Sequence, residues 1–412
     1  MQSLRPLVPL LTAAGILLAG NGLQGTLIAL RGAAEGFSPA LIGFMGTAYF
    51  GGFMLGCIFI PRILRAVGHI RAFSALAAIA AAASLMLVLA PDAYLWLVIR
   101  FVTGFCFSGL FTTVESWINS GVDNTDRARV LSLYRIIDIA AVTGSQYLIP
   151  AFGPEGFAIF AIMAMMITLS LVPVSLADRS NPTPPEAVSL DLTRVWRISP
   201  IACMGCIAIG MTNGAFRLIG PIYANDVGMD VTDVATFMGA GIFGGAVLQY
   251  PLGYLSDRYD RRRILIISTL GAVFAGIAIT LFAGSSVPLN IAGIFLFGAF
   301  ALPLYSLSAA HANDHAKQDD FVHVAAGLML FFSVGAMVGP PVAAYLMEQF
   351  GPGFLFFYTS AVHASLILVT LYRMQVRHAV PLEGRSRFRM LLRTSPEFAK
   401  RKSEEQADKE DG

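Results

Sequence analysis

The chain has 412 residues, 56% of them apolar and only 13% charged, with a formal net charge of +2. A soluble domain carries about 25% charged residues, so an ordinary water-soluble globule is excluded, and so small a net charge gives no ground for a nucleic-acid partner. The long uncharged runs read instead as helices crossing a bilayer, whose hydrocarbon core of about 30 Å takes about 20 residues of helix.

In chain order twelve spans can be read, at about 7–30, 40–61, 70–90, 94–120, 127–150, 155–177, 199–224, 231–253, 262–283, 288–311, 321–346 and 351–374. The first is too long for a cleaved signal peptide and lacks a convincing cleavage site, so it reads as a helix. Breaks fall on turn chemistry: Ser38-Pro39, Ala90-Pro91-Asp92, Gly153-Pro154, Ser286-Val287-Pro288 and Gly351-Pro352-Gly353. The stretch Asp178–Trp196 is different, with Asn181-Pro-Thr-Pro-Pro185 and a return of charged residues, and reads as a linker. The expected organisation is a first half over 1–177, a cytoplasmic linker over 178–198, a second half over 199–374 and a disordered cytoplasmic tail over 375–412. The tail is first basic, then acidic. Its basic part either touches anionic lipid or is merely solvated.

The halves echo each other. Phe44-Met45-Gly46 and Phe50-Gly51-Gly52 return 193 residues later as Phe237-Met238-Gly239 and Phe243-Gly244-Gly245. Gly104 and Asn119 return as Gly298 and Asn313, at 194, and Asn21-Gly22 as Asn213-Gly214, at 192. Three matches at nearly one offset argue for a duplicated unit. The expected fold is an all-α integral membrane protein of twelve transmembrane helices in two pseudo-symmetric six-helix halves.

Basic residues in the loops give the orientation. With the N-terminus in the cytoplasm, the inner loops hold Arg62, Arg65, Arg71, Arg127, Arg129, Arg179, Arg194, Arg197, Arg258, Arg261, Arg262, Arg263 and Lys317, and the outer loops hold Arg31. That asymmetry is the positive-inside pattern.

These features resemble the major facilitator superfamily, over roughly Leu7–Arg373. The superfamily's loop motif, a Gly, an Asp-Arg pair and a basic run, stands as Gly253, Asp257-Arg258 and Arg261-Arg262-Arg263, with Asp260 where a Gly is usual. Its first-half copy is Gly56, Pro61-Arg62, Arg65, Gly68 and Arg71, without an acidic residue. Arg100 and Gly104 match the helix-4 motif, and Gly335-Ala-Met-Val-Gly339-Pro340-Pro341 a helix-11 pattern. Gly144-Ser-Gln-Tyr-Leu-Ile-Pro150 does not match the helix-5 motif of antiporters. Arg100-Phe-Val-Thr-Gly104, Val114-Glu115-Ser116, Leu302-Pro-Leu-Tyr305 and Ala310-His311 are similar to the YcaD-like branch. The resemblance implies alternating access between the two halves. Asp257 falls where the eighth span meets the cytoplasm. A carboxylate there can cap a neighbouring helix and bond an arginine, making Gly253, Asp257, Arg258, Arg261 and Arg262 a gating cluster. The alternative is a purely topogenic cluster that only fixes orientation.

A charge inside a span costs several kcal/mol unless paired or wetted. Five such residues stand out: Arg100 and Glu115 in the fourth span, Arg135 and Asp138 in the fifth, Arg217 in the seventh. Glu115, Arg135 and Asp138 fall at similar depth and form a candidate proton-coupling network, or else a structural ion pair. Arg100 and Arg217 can draw an anionic group, although Arg217 is equally able to snorkel to the interface. Asn21 and Gln24 with repeat-related Asn213 suit a site between the halves or simple interhelical hydrogen bonds. Tyr305 completes the expected cavity, whereas His311 and His323 are expected to face the cytosol.

Cys203-x-x-Cys206 reads as small apolar packing. No metal-ligand spacing, phosphate loop of the G-x-x-x-x-G-K type or nucleophile–base pair is present, so neither cofactor, ATP drive nor enzymatic activity is expected. The reading is a monomeric secondary transporter in the inner membrane, taking a small organic molecule and coupled to H⁺. Three arginines against two carboxylates in the spans lean toward an anionic or amphipathic substrate. The alternative is a non-transporting sensor or assembly factor on the same fold.

Overall fold

A computed structural model describes residues 8–120, 127–176, 191–317, 320–377, 380 and 388. The expectation of a disordered tail, and most of the linker, therefore fall outside the described residues. The first half contains α1 (Val8–Ala34), α2 (Pro39–Val67), α3 (His69–Leu89), α4 (Ala93–Ser120), α5 (Arg127–Gln146), α6 (Leu148–Phe152), α7 (Phe157–Leu169) and α8 (Leu171–Leu176). A short α9 (Leu192–Ile198) follows the linker. The second half contains α10 (Pro200–Asp226), α11 (Val231–Arg258), α12 (Arg261–Ala278) continued by a π-helical turn at Ile279–Ala283, α13 (Val287–Ala301), α14 (Leu304–His315), α15 (Phe321–Phe350) and α16 (Phe354–Val376).

Among the described residues, eleven spans are long and apolar enough to cross a bilayer. The twelfth is α5 with α6, which carries Arg135 and Asp138 in its interior. Helix ends follow local chemistry. Ser38 Oγ accepts the Leu41 N–H at 3.3 Å and Pro39 begins α2; Ser199 and Pro200 do the same for α10. The expected end of the second span at Pro61 is corrected, because α2 runs through Pro61 to Val67. In lipid a helix tolerates an interior proline where neighbouring groups resatisfy the backbone.

The duplication is visible as packing. α1 packs on α5 as α10 does on α15, α2 on α4 as α11 on α13, and α3 on α7 as α12 on α16. Four glycines let backbones meet. A Cβ on Gly52 would lie 1.9 Å from the Phe101 carbonyl oxygen, and one on Gly104 1.9 Å from that of Tyr49. In the second half Gly244 faces Phe295 at 2.1 Å and Gly298 faces Gly241 at 1.9 Å. Only glycine permits such approaches, which stand in for the hydrophobic drive that lipid removes. These pairs match Gly52 with Gly244, an offset of 192, so the Phe-Met-Gly echo at 193 is one residue out of structural register.

Across the halves, α2 packs on α15, α5 on α11 and α1 on α10. Near the end that carries the α1–α2 turn, the contact is close. A Cβ on Gly43 would lie 2.8 Å from Pro341 Cα, and the Thr47 hydroxyl donates to the Met337 carbonyl at 2.5 Å. The Tyr147 hydroxyl reaches Thr236 at 3.5 Å at the same end. The halves are thus sealed on that side of the bundle.

Candidate substrate cavity

Between the halves lies a cavity lined by α1, α2, α4 and α5 on one side and by α10, α11, α15 and Leu302 on the other. About 180 Å³ of it is open to the centre of a water molecule. The expected residues Asn21, Gln24, Arg100, Arg135, Asp138, Asn213 and Arg217 all line it. They fall into two groups.

The first group joins α1, α2 and α4. Arg100 is 4% exposed and donates from Nη1 to Gln24 Oε1 at 2.5 Å. Its guanidinium lies 4.3 Å from the centre of the Tyr49 ring, an attraction between a cation and the ring face that also holds the guanidinium flat. The Tyr49 hydroxyl in turn donates to Asn21 Oδ1 at 3.0 Å. The second group joins α5 to the other half. Arg135 pairs with Asp138 at 2.6 Å, and its Nη2 donates to Gln249 Oε1 of α11 at 3.1 Å. Gln249 Nε2 donates to the Ser306 hydroxyl of α14 at 3.2 Å. Arg217, on α10, is close enough to feel the charges of Asp138 and Arg135. Gln146 ties α5 to α1, accepting from Thr26 at 2.7 Å and donating to the Gly22 carbonyl at 2.9 Å.

Two expected members sit elsewhere. Glu115 is fully buried but is not on the cavity wall. It lies one turn beyond Phe111, which is, and near Cys57 of α2. Of the expected Glu115–Arg135–Asp138 network, Arg135 and Asp138 are paired on the cavity wall, with Gln249 as a further member. Tyr305 packs edge-on against Phe332 with centroids 5.7 Å apart, and Phe332 takes the wall position in its place.

The loop-motif residues form a separate cluster. Asp257 pairs with Arg261 at 3.1 Å and accepts the Phe388 backbone N–H at 2.7 Å. Arg261, 3% exposed, also pairs with Asp314 of α14 at 2.6 Å. Asp260 caps α12 through the Arg262 N–H at 3.0 Å and grips the Arg262 side chain at 2.7 Å. Arg258 instead lies over the Tyr254 ring of its own helix, at 4.3 Å. A Cβ on Gly253 would lie 2.2 Å from the Phe388 ring. These bonds tie α11, α12 and α14 together within one half. His311, expected to face the cytosol, is instead 5% exposed and stacked on His315 with centroids 4.6 Å apart.

Tyr49, Gln249, Gln146 and Asp314 are the members that sequence reasoning passed over. The two glutamines had a signal, since each is a neutral polar residue in an apolar run. Tyr49 had one too, lying inside the repeated Phe-Met-Gly motif.

A family model described as the Major Facilitator Superfamily matches residues 10–239 and again 201–402. The uncharacterized MFS-type transporter YcaD of Escherichia coli O45:K1 (strain S88 / ExPEC) is 24% identical over 369 residues, covering 89% of this chain and 95% of its own. The uncharacterized MFS-type transporter Ent638_1421 of Enterobacter sp. (strain 638) is 24% identical over 383 residues, covering 92% and 98%. Among solved structures, the nucleoside transporter NupG superposes with a TM-score of 0.73 over 92% of this chain and all of its own, at 12% identity. That last likeness is one of fold.

Proposed function

The chain belongs to the Major Facilitator Superfamily, and from that premise we propose that it moves a small organic molecule across the inner membrane by alternating access, driven by protons. The observation that carries the reading is the cavity itself. Buried polar side chains from both halves converge on it, and the halves meet tightly at one end only through small residues, prolines and a few hydrogen bonds. Such a junction can part without exposing paired charges. The working units are the halves 1–177 and 199–374, joined by the 178–198 linker and acting as a monomer.

The basic residues of the inner loops support an orientation with both termini in the cytoplasm. Arg31, the outer exception, is neutralised by Glu35 at 2.5 Å. In that orientation the sealed end faces outward.

Asp138 is the carboxylate suited to carry the proton. It lies on the cavity wall and is 18% exposed, so a proton can reach it, whereas Glu115 is closed off. Protonating Asp138 removes the partner of Arg135 and frees a cation in the cavity. Proton occupancy thereby changes the charge that substrate meets, which is the linkage coupling requires. In proteoliposomes, Asp138→Asn should abolish accumulation driven by a pH gradient while preserving exchange of substrate. Glu115→Gln should retain pH-driven accumulation in whatever protein folds. The reverse pattern would move the proton site to Glu115 and overturn this assignment.

A further inference from the structure

Resting on that reading, we infer that the transported molecule is an organic oxyanion with an apolar or aromatic body, its charged end held by Arg100, Gln24 and Arg217. The charge balance of the wall is the first ground. Arg100, Arg135 and Arg217 line the cavity against one carboxylate, Asp138, which Arg135 already holds. Among the described residues no carboxylate lies within ion-pair distance of Arg100 or Arg217. Two cations therefore face the same buried space, and an arginine cannot shed its proton there to escape the cost.

The second ground is the hydrogen-bonding capacity left unused on the wall. Four buried polar atoms of wall residues have no hydrogen-bond partner: Gln24 Nε2, Arg100 Nε, Arg135 Nε and Asn213 Oδ1. Three are donors. The amide of Gln24 is not free to flip, because its Oε1 is fixed by Arg100; Nε2 must stay a donor. A polyol, which offers donors and acceptors alike, does not match a wall so short of acceptors. A cation finds too few acceptors and is repelled. A carboxylate or phosphate monoester, rich in acceptors and charged, meets both needs.

The third ground is the rest of the wall. Tyr49 holds the Arg100 guanidinium in one plane before any ligand arrives, which spares ordering cost and favours a planar oxyanion. Phe50, Phe53, Phe111 and Phe332 supply the apolar surface beyond it. Asn213 Oδ1, the one acceptor among those four atoms, suits a hydroxyl or N–H on the ligand's body.

The test uses the full-length protein purified in detergent and four probes sharing one ring: phenylacetate, phenyl phosphate, phenylacetamide and phenethylamine. Calorimetric titration should detect one or both anions, and bind the amide and amine at least about tenfold more weakly. The ratio of the two anions distinguishes a carboxylate from a phosphate substrate. Arg100→Gln and Arg217→Gln should each lower anion affinity by about tenfold or more, while Arg100→Lys should restore part of it. A variant that is not monodisperse on size exclusion is replaced by Gln24→Leu, which removes one donor and should weaken the anion but not the amide. Equal or better binding of the amide or amine, no binding of either anion, or anion binding indifferent to the wall substitutions would overturn the inference. Counterflow of the bound probe in proteoliposomes separates the two claims. A bound anion that does not exchange would sink the transport reading, and exchange that prefers the amide or amine would sink the anion assignment alone.

Discussion

Gln249 shows how one neutral side chain can govern a conformational equilibrium. It accepts from Arg135 in the opposite half at 3.1 Å and is 3% exposed. A hydrogen bond to a charged group is worth about 1.5–3 kcal/mol, and this one, toward the cytoplasmic ends of α5 and α11 in the proposed orientation, has to break when the halves separate there. Gln249→Leu keeps the Arg135–Asp138 pair yet removes the tie, so it should shift the population by roughly tenfold toward the state open to the cytoplasm. A cysteine at Thr47, shielded here against Met337 at the outer seal, should then label more slowly from outside in a Cys57→Ser background. An unchanged labelling rate would leave Gln249 with no part in the equilibrium. At this scale the sequence was legible for charges and less so for neutral groups. Arg100, Arg135, Asp138 and Arg217 announced themselves by their cost in hydrocarbon. Which side of α4 Glu115 would face was not legible, because it lies fifteen residues from Arg100 and small departures from about 100° per residue accumulate over that length.

Among the elements, α11, α12 and α14 are bound by a chain of charges that runs Asp257–Arg261–Asp314. Its members are not equivalent. Asp257 keeps a side chain 33% exposed, whereas Asp314 and Arg261 are 4% and 3% exposed. Leaving a buried cation unpaired costs about 3–5 kcal/mol, and losing Asp314 costs part of that, since Arg261 would keep only the more distant and more exposed Asp257. Asp314→Asn should therefore lower the thermal stability of the detergent-purified protein clearly, and Asp257→Asn only slightly, because Arg261 retains Asp314. Equal destabilisation by the two would contradict this ordering. The loop motif drew attention to Asp257 and Arg258, yet the structure gives the deeper bond to Asp314, which lies 57 residues from Asp257 and carries no local signature. The glycine repeat was legible in the same partial way. Letter matches found the duplicated elements, but which glycine meets a facing carbonyl depends on helix rotation, and so the register slipped by one residue.

At the scale of the whole molecule, twelve spans and two halves could be read because bilayer thickness and duplication both write themselves into hydropathy and spacing. The way the halves meet could not, since it rests on contacts 290 residues apart such as Thr47 with Met337. That contact supplies the decisive test of alternating access. The α2–α15 seal places Gly43 against Pro341 and Gly46 against Pro340, so any opening on that side has to separate these helices. Cysteines at Thr47 and Met337, joined by a short bifunctional reagent with a reducible linkage in a background freed of Cys57, should lock the seal. Net transport should stop, while the bound probe should still be detected by titration from the open side. Cleaving the linkage should restore transport. If transport continues at full linkage, the seal is a fixed wall, the cavity has to empty by another route, and rocking of the two halves about it is wrong.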